Sequence, residues 1–208
     1  MTIKTDAILK PAGKFFNVYL MNVPVYFAVV HTPKQKYQSA GLEYAITAFV
    51  DQETRDKLES EFKLNKELFE VGRDKNKKKE IKYKTSKQLK DGEKHHYDDV
   101  IGLHGISLSV DTVDKNGYAH KVNVIDKEGK PFTADIGNGS VCNIKLFAYK
   151  NKEEMLVVSL DTVQVVDHVA YEGGKSSSGE VVDDILGVSY TVTPVGKVED
   201  SYKTSQEA

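Results

Sequence analysis

Tryptophan is absent from this chain of 208 residues, cysteine occurs once and proline five times. Each shortage excludes something. Cys142 has no second thiol for an intrachain disulfide, and a lone cysteine suits a reducing compartment. No segment approaches the ~20 consecutive apolar residues of a membrane-spanning helix. The most apolar run, Val23–Val30, is strand-sized and interrupted by Pro24. The opening ten residues, Met1 to Lys10, have no hydrophobic signal core, so a cytoplasmic location without a membrane partner is expected.

Signatures of catalysis are equally scarce. Gly173-Gly174-Lys175-Ser176 resembles the end of a phosphate loop, but Val169 stands where the earlier glycine belongs and a serine run follows in place of a helix. Gly137-Asn138-Gly139 lacks the third glycine of a dinucleotide fingerprint, with Cys142 in its place. His95 and His96 are adjacent, and neighbours on a strand point to opposite faces, so they do not converge on one ion. The adjacent carboxylates Asp98-Asp99, Asp183-Asp184 and Glu199-Asp200 lie in polar contexts, with no nucleophile and base recognisably paired. The expectation is a non-enzymatic protein without cofactor or metal.

What is present is charge segregation and strand-type alternation. The formal net charge of −2 conceals a basic stretch at Arg73–Lys94, with ten basic and four acidic side chains. From Glu172 onward the balance reverses to seven acidic against three basic. A basic insert beside an acidic tail is compatible with a polyanionic partner.

Lys14–His31 reads as one long strand in which Pro24 predicts a bulge or an edge position. Leu42 to Val50 alternates as a second strand. Asp51 predicts a helix N-cap, with Leu58, Phe62 and Leu64–Leu68 as its apolar stripe and an end before Gly72. Val100–Val113 and Tyr118–Val124 read as a hairpin about Asn116-Gly117. A last hairpin is expected from Val141–Tyr149 and Leu156–Val169. Strands in this number with one helix predict a small, partly open OB-fold barrel, with a β-sandwich as the alternative. Residues 1–171 would form the folded domain, carrying the basic insert near 73–94, and 172–208 a flexible, mildly acidic tail.

Binding of a single strand without strong sequence preference needs cations along the backbone path and flat rings under the bases. Three segments offer both. Lys34, Lys36 and Tyr37 lie together in the loop expected after the first strand, Lys82 and Lys84 bracket Tyr83 in the basic insert, and Lys145, Phe147 and Tyr149 share one face of a strand. Phe15, Phe27 and Phe49, within the apolar runs, are expected to pack in the core.

The stretch Asp135–Tyr171 also carries a family pattern. Gly139-Ser140-Val141 opens one strand and Leu160 through Val165 (Leu-Asp-Thr-Val-Gln-Val) closes the last. This resembles the C-terminal strands of bacteriophage single-stranded DNA-binding proteins of the OB-fold type. The resemblance implies single-stranded DNA as partner, coated during phage replication, recombination and repair in the host cytoplasm. It also implies an acidic tail that recruits replication proteins. This tail departs from that pattern: it ends Thr204-Ser205-Gln206-Glu207-Ala208, with no terminal aromatic and with Lys197 and Lys203 among its acids. A homodimer stays open, as does a structural protein of a virion or surface assembly built on a β-sandwich.

Overall fold

The computed structural model describes residues 3–36, 39–71, 98–114, 116–171, 180–183 and 188–191. The chain divides into two units, Met1–Tyr171 and Glu172–Ala208. In the second, Glu180–Asp183 pairs antiparallel with Val188–Thr191.

The first unit is mainly β. Its strands are β1 (Asp6–Ala12), β2 (Phe15–Gln35), β3 (Leu42–Val50), β4 (Phe69–Glu70), β5 (His104–Asp111), β6 (Asn123–Ile125), β7 (Ser140–Lys150) and β8 (Leu156–Asp167). All eight belong to one sheet, in the order β4-β5-β3-β2-β7-β8-β6, with β1 added to β2. β2, β3, β7 and β8 pair antiparallel in the sequence of the sheet, and β5 pairs antiparallel with β3. β5 comes back against β8, and these pairings make the two parallel. The circuit β2-β3-β5-β8-β7-β2 is that of an OB barrel, a five-stranded, partly open Greek-key barrel. One continuous sheet closing on itself replaces the two stacked sheets of the sandwich alternative. The free edge of β8 takes short segments: Leu64 bridges Leu156, and β6 runs parallel to Thr162–Gln164.

Long strands close a barrel only if they bend. β2 bends at Asn22 and Phe27, whose φ angles of 55° and 53° are left-handed. Asparagine tolerates this conformation whereas a bulky phenylalanine rarely adopts it, and each backbone N–H is held by an asparagine: Asn143 Oδ1 accepts from Asn22 N at 2.9 Å, and Asn138 Oδ1 from Phe27 N at 2.8 Å. A register shift between Leu20 and Val23 adjoins Pro24, in line with the expected bulge, although β2 lies inside the sheet and not at its edge.

Inside, Val18, Leu20, Ile46, Ile106, Leu108, Cys142, Ile144, Leu146 and Val163 form the barrel core. A second cluster of Tyr26, Phe49, Phe69, Val71 and Val100 covers the opposite face of β3. The Phe69 ring lies over Gly105, where a Cβ would fall 2.2 Å from it.

Two expectations change. Asp51 does cap a helix, accepting from Thr54 N at 2.8 Å. The helix α1 covers only Gln52–Asp56, with a π-turn at Lys57–Glu61. Lys63 turns left-handed, with φ 51°. The chain then hydrogen-bonds to β8, with Leu156 N donating to Lys63 O and Asn65 N to Leu156 O. Leu64 and Leu68 therefore reach the core from extended chain. The hairpin expected at 100–124 is reduced to a single bridge, Val113–Ala119. Tyr118 to Lys121 is exposed and has no apolar face to hold it against β5. Val122 and Val124 instead enter the core, the latter on β6 beside β8.

Candidate nucleic-acid interface

Strand alternation sorts β7 cleanly. Ser140, Cys142, Ile144, Leu146 and Ala148 are fully buried, which sends Lys145, Phe147 and Tyr149 to the outer face. The neighbouring strand β2 does the same around buried Val18 and Leu20, turning Phe15, Asn17 and Tyr19 outward.

Register brings these two rows together. Asn17 lies opposite Phe147 and Tyr19 opposite Lys145, which sets Phe15 beside Tyr149. β1 adds Ile8 next to Tyr19, Lys10 next to Asn17 and Ala12 next to Phe15. On the other side, β8 places Val157 opposite Tyr149 and Ser159 opposite Phe147. The result is a four-strand face with rings and lysines at its centre.

The rings are open to solvent: Phe15 is 37% exposed, Phe147 38% and Tyr149 45%. Phe15 and Phe147 contact each other with centroids 5.0 Å apart and planes tilted by 55°. Lys14 Nζ is 5.2 Å from the Phe15 ring centre, and Lys10 Nζ is 5.8 Å from that of Tyr19. These cation–π contacts keep ammonium groups beside the rings. Lys145 pairs with Asp161 at 2.8 Å. The hydrogen bond to that carboxylate is the main cause that raises the Lys145 pKa.

Asn17 sits at the middle of this face, half-buried, and its amide makes no hydrogen bond with a described residue. The hydroxyl of Ser159, on the other side of Phe147, is likewise without one.

Of the residues singled out in the sequence, the fold brings together Lys145, Phe147 and Tyr149. Lys34 and Lys36 lie at the far end of β2, where Lys34 faces Glu43 at 3.9 Å and Lys36 faces Asp111 at 2.6 Å. Tyr37, Lys82, Tyr83 and Lys84 fall outside the described residues. Phe49 is fully buried as expected, whereas Phe15 and Phe27 stand exposed, at 37% and 41%. Phe15 escapes the core because it begins β2 on the outward parity, and Phe27 because its left-handed backbone reverses the alternation. Sequence reasoning also passed over β1, Lys10, Lys14, Asn17 and Tyr19. The signal was in the odd-numbered spacing Phe15, Asn17, Tyr19, which matches that of Lys145, Phe147, Tyr149; which two strands pair was not legible.

No protein-family model matches the chain, and no curated protein does. Solved structures do. The single-stranded DNA-binding protein of bacteriophage Enc34 in complex with ssDNA superposes with a TM-score of 0.43 at 13% identity, over 83% of this chain and 100% of that one. Its C-terminally truncated form gives 0.45 at 15% identity, over 82% and 99%. Gp2.5, a single-stranded DNA-binding protein encoded by bacteriophage T7, gives 0.43 at 16% identity, over 83% and 100%. The structural neighbours of this chain are thus phage single-stranded DNA-binding proteins, at low sequence identity.

Proposed function

We propose that this chain is a non-enzymatic protein that binds single-stranded DNA with weak sequence preference, through the outer face of β1, β2, β7 and β8. One observation carries the reading: Phe15, Tyr19, Phe147 and Tyr149 share a face with Lys10 and Lys145, and Lys14 reaches the Phe15 ring from the turn between β1 and β2. Every base has a π-face, so exposed rings accept any sequence, and lysines beside them meet the phosphates. Duplex DNA hides its bases in the stack and cannot use the rings. The resemblance of the β7–β8 sequence to the phage proteins directs the choice of DNA over RNA. It likewise suggests a role in coating strands during phage replication, recombination and repair in the host cytoplasm. Lys34, Lys36 and Tyr37, with Lys82, Tyr83 and Lys84, are proposed as contacts for strand running beyond this face. The tail is proposed as the contact for replication proteins.

The test is fluorescence anisotropy of labelled oligo-dT against a matched duplex at several salt concentrations. Tight single-strand binding is expected, with a log–log salt slope of about −2 from the three lysines of this face at ~0.7 per phosphate, and a steeper one as the other proposed lysines engage. Phe147→Ala should weaken oligo-dT binding about tenfold, within the ~1–3 kcal/mol per stacked base, while circular dichroism stays unchanged. Absence of single-strand binding at low salt would overturn the reading and leave the structural-assembly alternative.

A further inference from the structure

The centre of the proposed face is an amide, not a ring. Asn17 lies directly opposite Phe147 on β7 and next to Lys10 on β1, with Phe15 and Tyr19 two residues to either side on its own strand. A solvated asparagine on a strand is a poor strand former, and nothing in the described fold uses this one. Two other asparagines of the barrel are occupied. Asn143 holds the bend at Asn22 and donates to Gln164 Oε1 at 2.9 Å, and Asn138 holds the bend at Phe27.

We infer that Asn17 reads the edge of a base stacked on Phe147 and gives this face a modest preference for adenine. The inference rests on the binding reading above. Cross-strand neighbours have Cβ atoms ~5 Å apart, and the asparagine side chain is shorter than the phenylalanine. A base lying against the taller Phe147 ring therefore turns one edge down toward the Asn17 amide. That amide carries one acceptor and two donor hydrogens, suited to an adjacent donor–acceptor pair on a base. In an unpaired strand both the Watson–Crick and Hoogsteen edges are accessible. Adenine presents a donor beside an acceptor on each: the 6-amino group with N1 on the first and with N7 on the second. On the Hoogsteen edge guanine offers acceptors alone, cytosine a donor alone, and thymine an acceptor and a methyl group. Adenine can thus satisfy Asn17 in either orientation and the others in fewer.

The experiment compares the full chain with Asn17→Ala and Asn17→Thr, the latter a good strand former, for binding to oligo-dA, oligo-dC and oligo-dT. Taking the variant-to-wild-type ratio for each oligonucleotide cancels the self-stacking of oligo-dA. Both variants should lose about fivefold in oligo-dA affinity, the low end of a bidentate amide–base pair, and less than twofold for oligo-dT. An equal loss for all three, or no loss for any, would overturn the assignment while leaving binding by the face intact. Failure of the wild-type chain to bind any of them would instead remove the reading on which it rests.

Discussion

Lys145 already has a partner in the free protein, and that sets how strongly it can engage a phosphate. Asp161 sits 2.8 Å from its ammonium on the same outer face. Partly exposed pairs of this kind contribute roughly 0–1 kcal/mol to stability, so the carboxylate acts mainly as a competitor for the cation. Asp161→Asn should therefore bind oligo-dT about threefold more tightly, by freeing one phosphate contact, with urea stability nearly unchanged. Weaker binding in a folded variant would mean that Asp161 positions Lys145 instead of competing for it. Phe147 and Tyr149 were legible as one outward row from period-2 alternation alone. That Lys145 is paired was not, because Asp161 approaches through a register shift between Lys145 and Leu146 that no local pattern announces.

Among the elements, the turn Gly137-Asn138-Gly139-Ser140 ties three strands at once. Gly139 takes a φ of 90°, which favours glycine. Gly137 packs on backbone: a Cβ there would lie 2.5 Å from Ala170 O and 2.6 Å from Val169 O. Asn138 holds the bend of β2, and the buried Ser140 hydroxyl donates to Gly137 O at 2.8 Å while accepting from Val169 N at 3.0 Å. Gly137→Ala should cost about 2 kcal/mol by overpacking, and Ser140→Ala a similar amount by leaving Val169 N–H unsatisfied. Chemical denaturation of each variant measures this; a change below about 0.5 kcal/mol, the size typical of surface substitutions, would show that the junction yields. The glycines and the serine mark a turn in the sequence. Their joint role follows only from the approach of the chain after β8, which is some thirty residues away, from Gly137 to Val169 or Ala170.

For the molecule as a whole, one buried titratable group should make stability depend on mild acid. His104, at the start of β5, is almost fully buried and its Nε2 donates to Gln52 Oε1 at 2.8 Å. Burial is the main cause that lowers its pKa below the ordinary 6.5, and nearby Arg55 lowers it further. Between the unfolded value and the lower folded one, the unfolded chain holds a proton that the native chain does not. Stability therefore rises with pH through that window and falls on acidification below about 6.5. The urea midpoint should be lower at pH 5.5 than at pH 7.5, and His104→Gln should lose much of that difference. An unchanged pH dependence in His104→Gln would place its origin in other groups. Asp51, whose pKa is lowered by hydrogen bonds despite its desolvation, acts in the same direction but in the carboxylate range.

The β class, the run of β2, the last hairpin with its buried and outward rows and the N-cap at Asp51 were legible in the order of residues alone. All of these are local: alternation, turn residues and capping act over a few positions. Tertiary structure decided that β2 lies between β3 and β7, that the expected hairpin at 100–124 gives its last strand to β8, and that the helix ends early because β8 takes its backbone groups. It also decided the candidate site. Phe15, Asn17 and Tyr19 meet Phe147 and Lys145 across more than a hundred residues of chain because register, set by the closure of the barrel, places them side by side. Local propensity fixes which way a side chain points along its strand; only long-range pairing fixes what stands next to it.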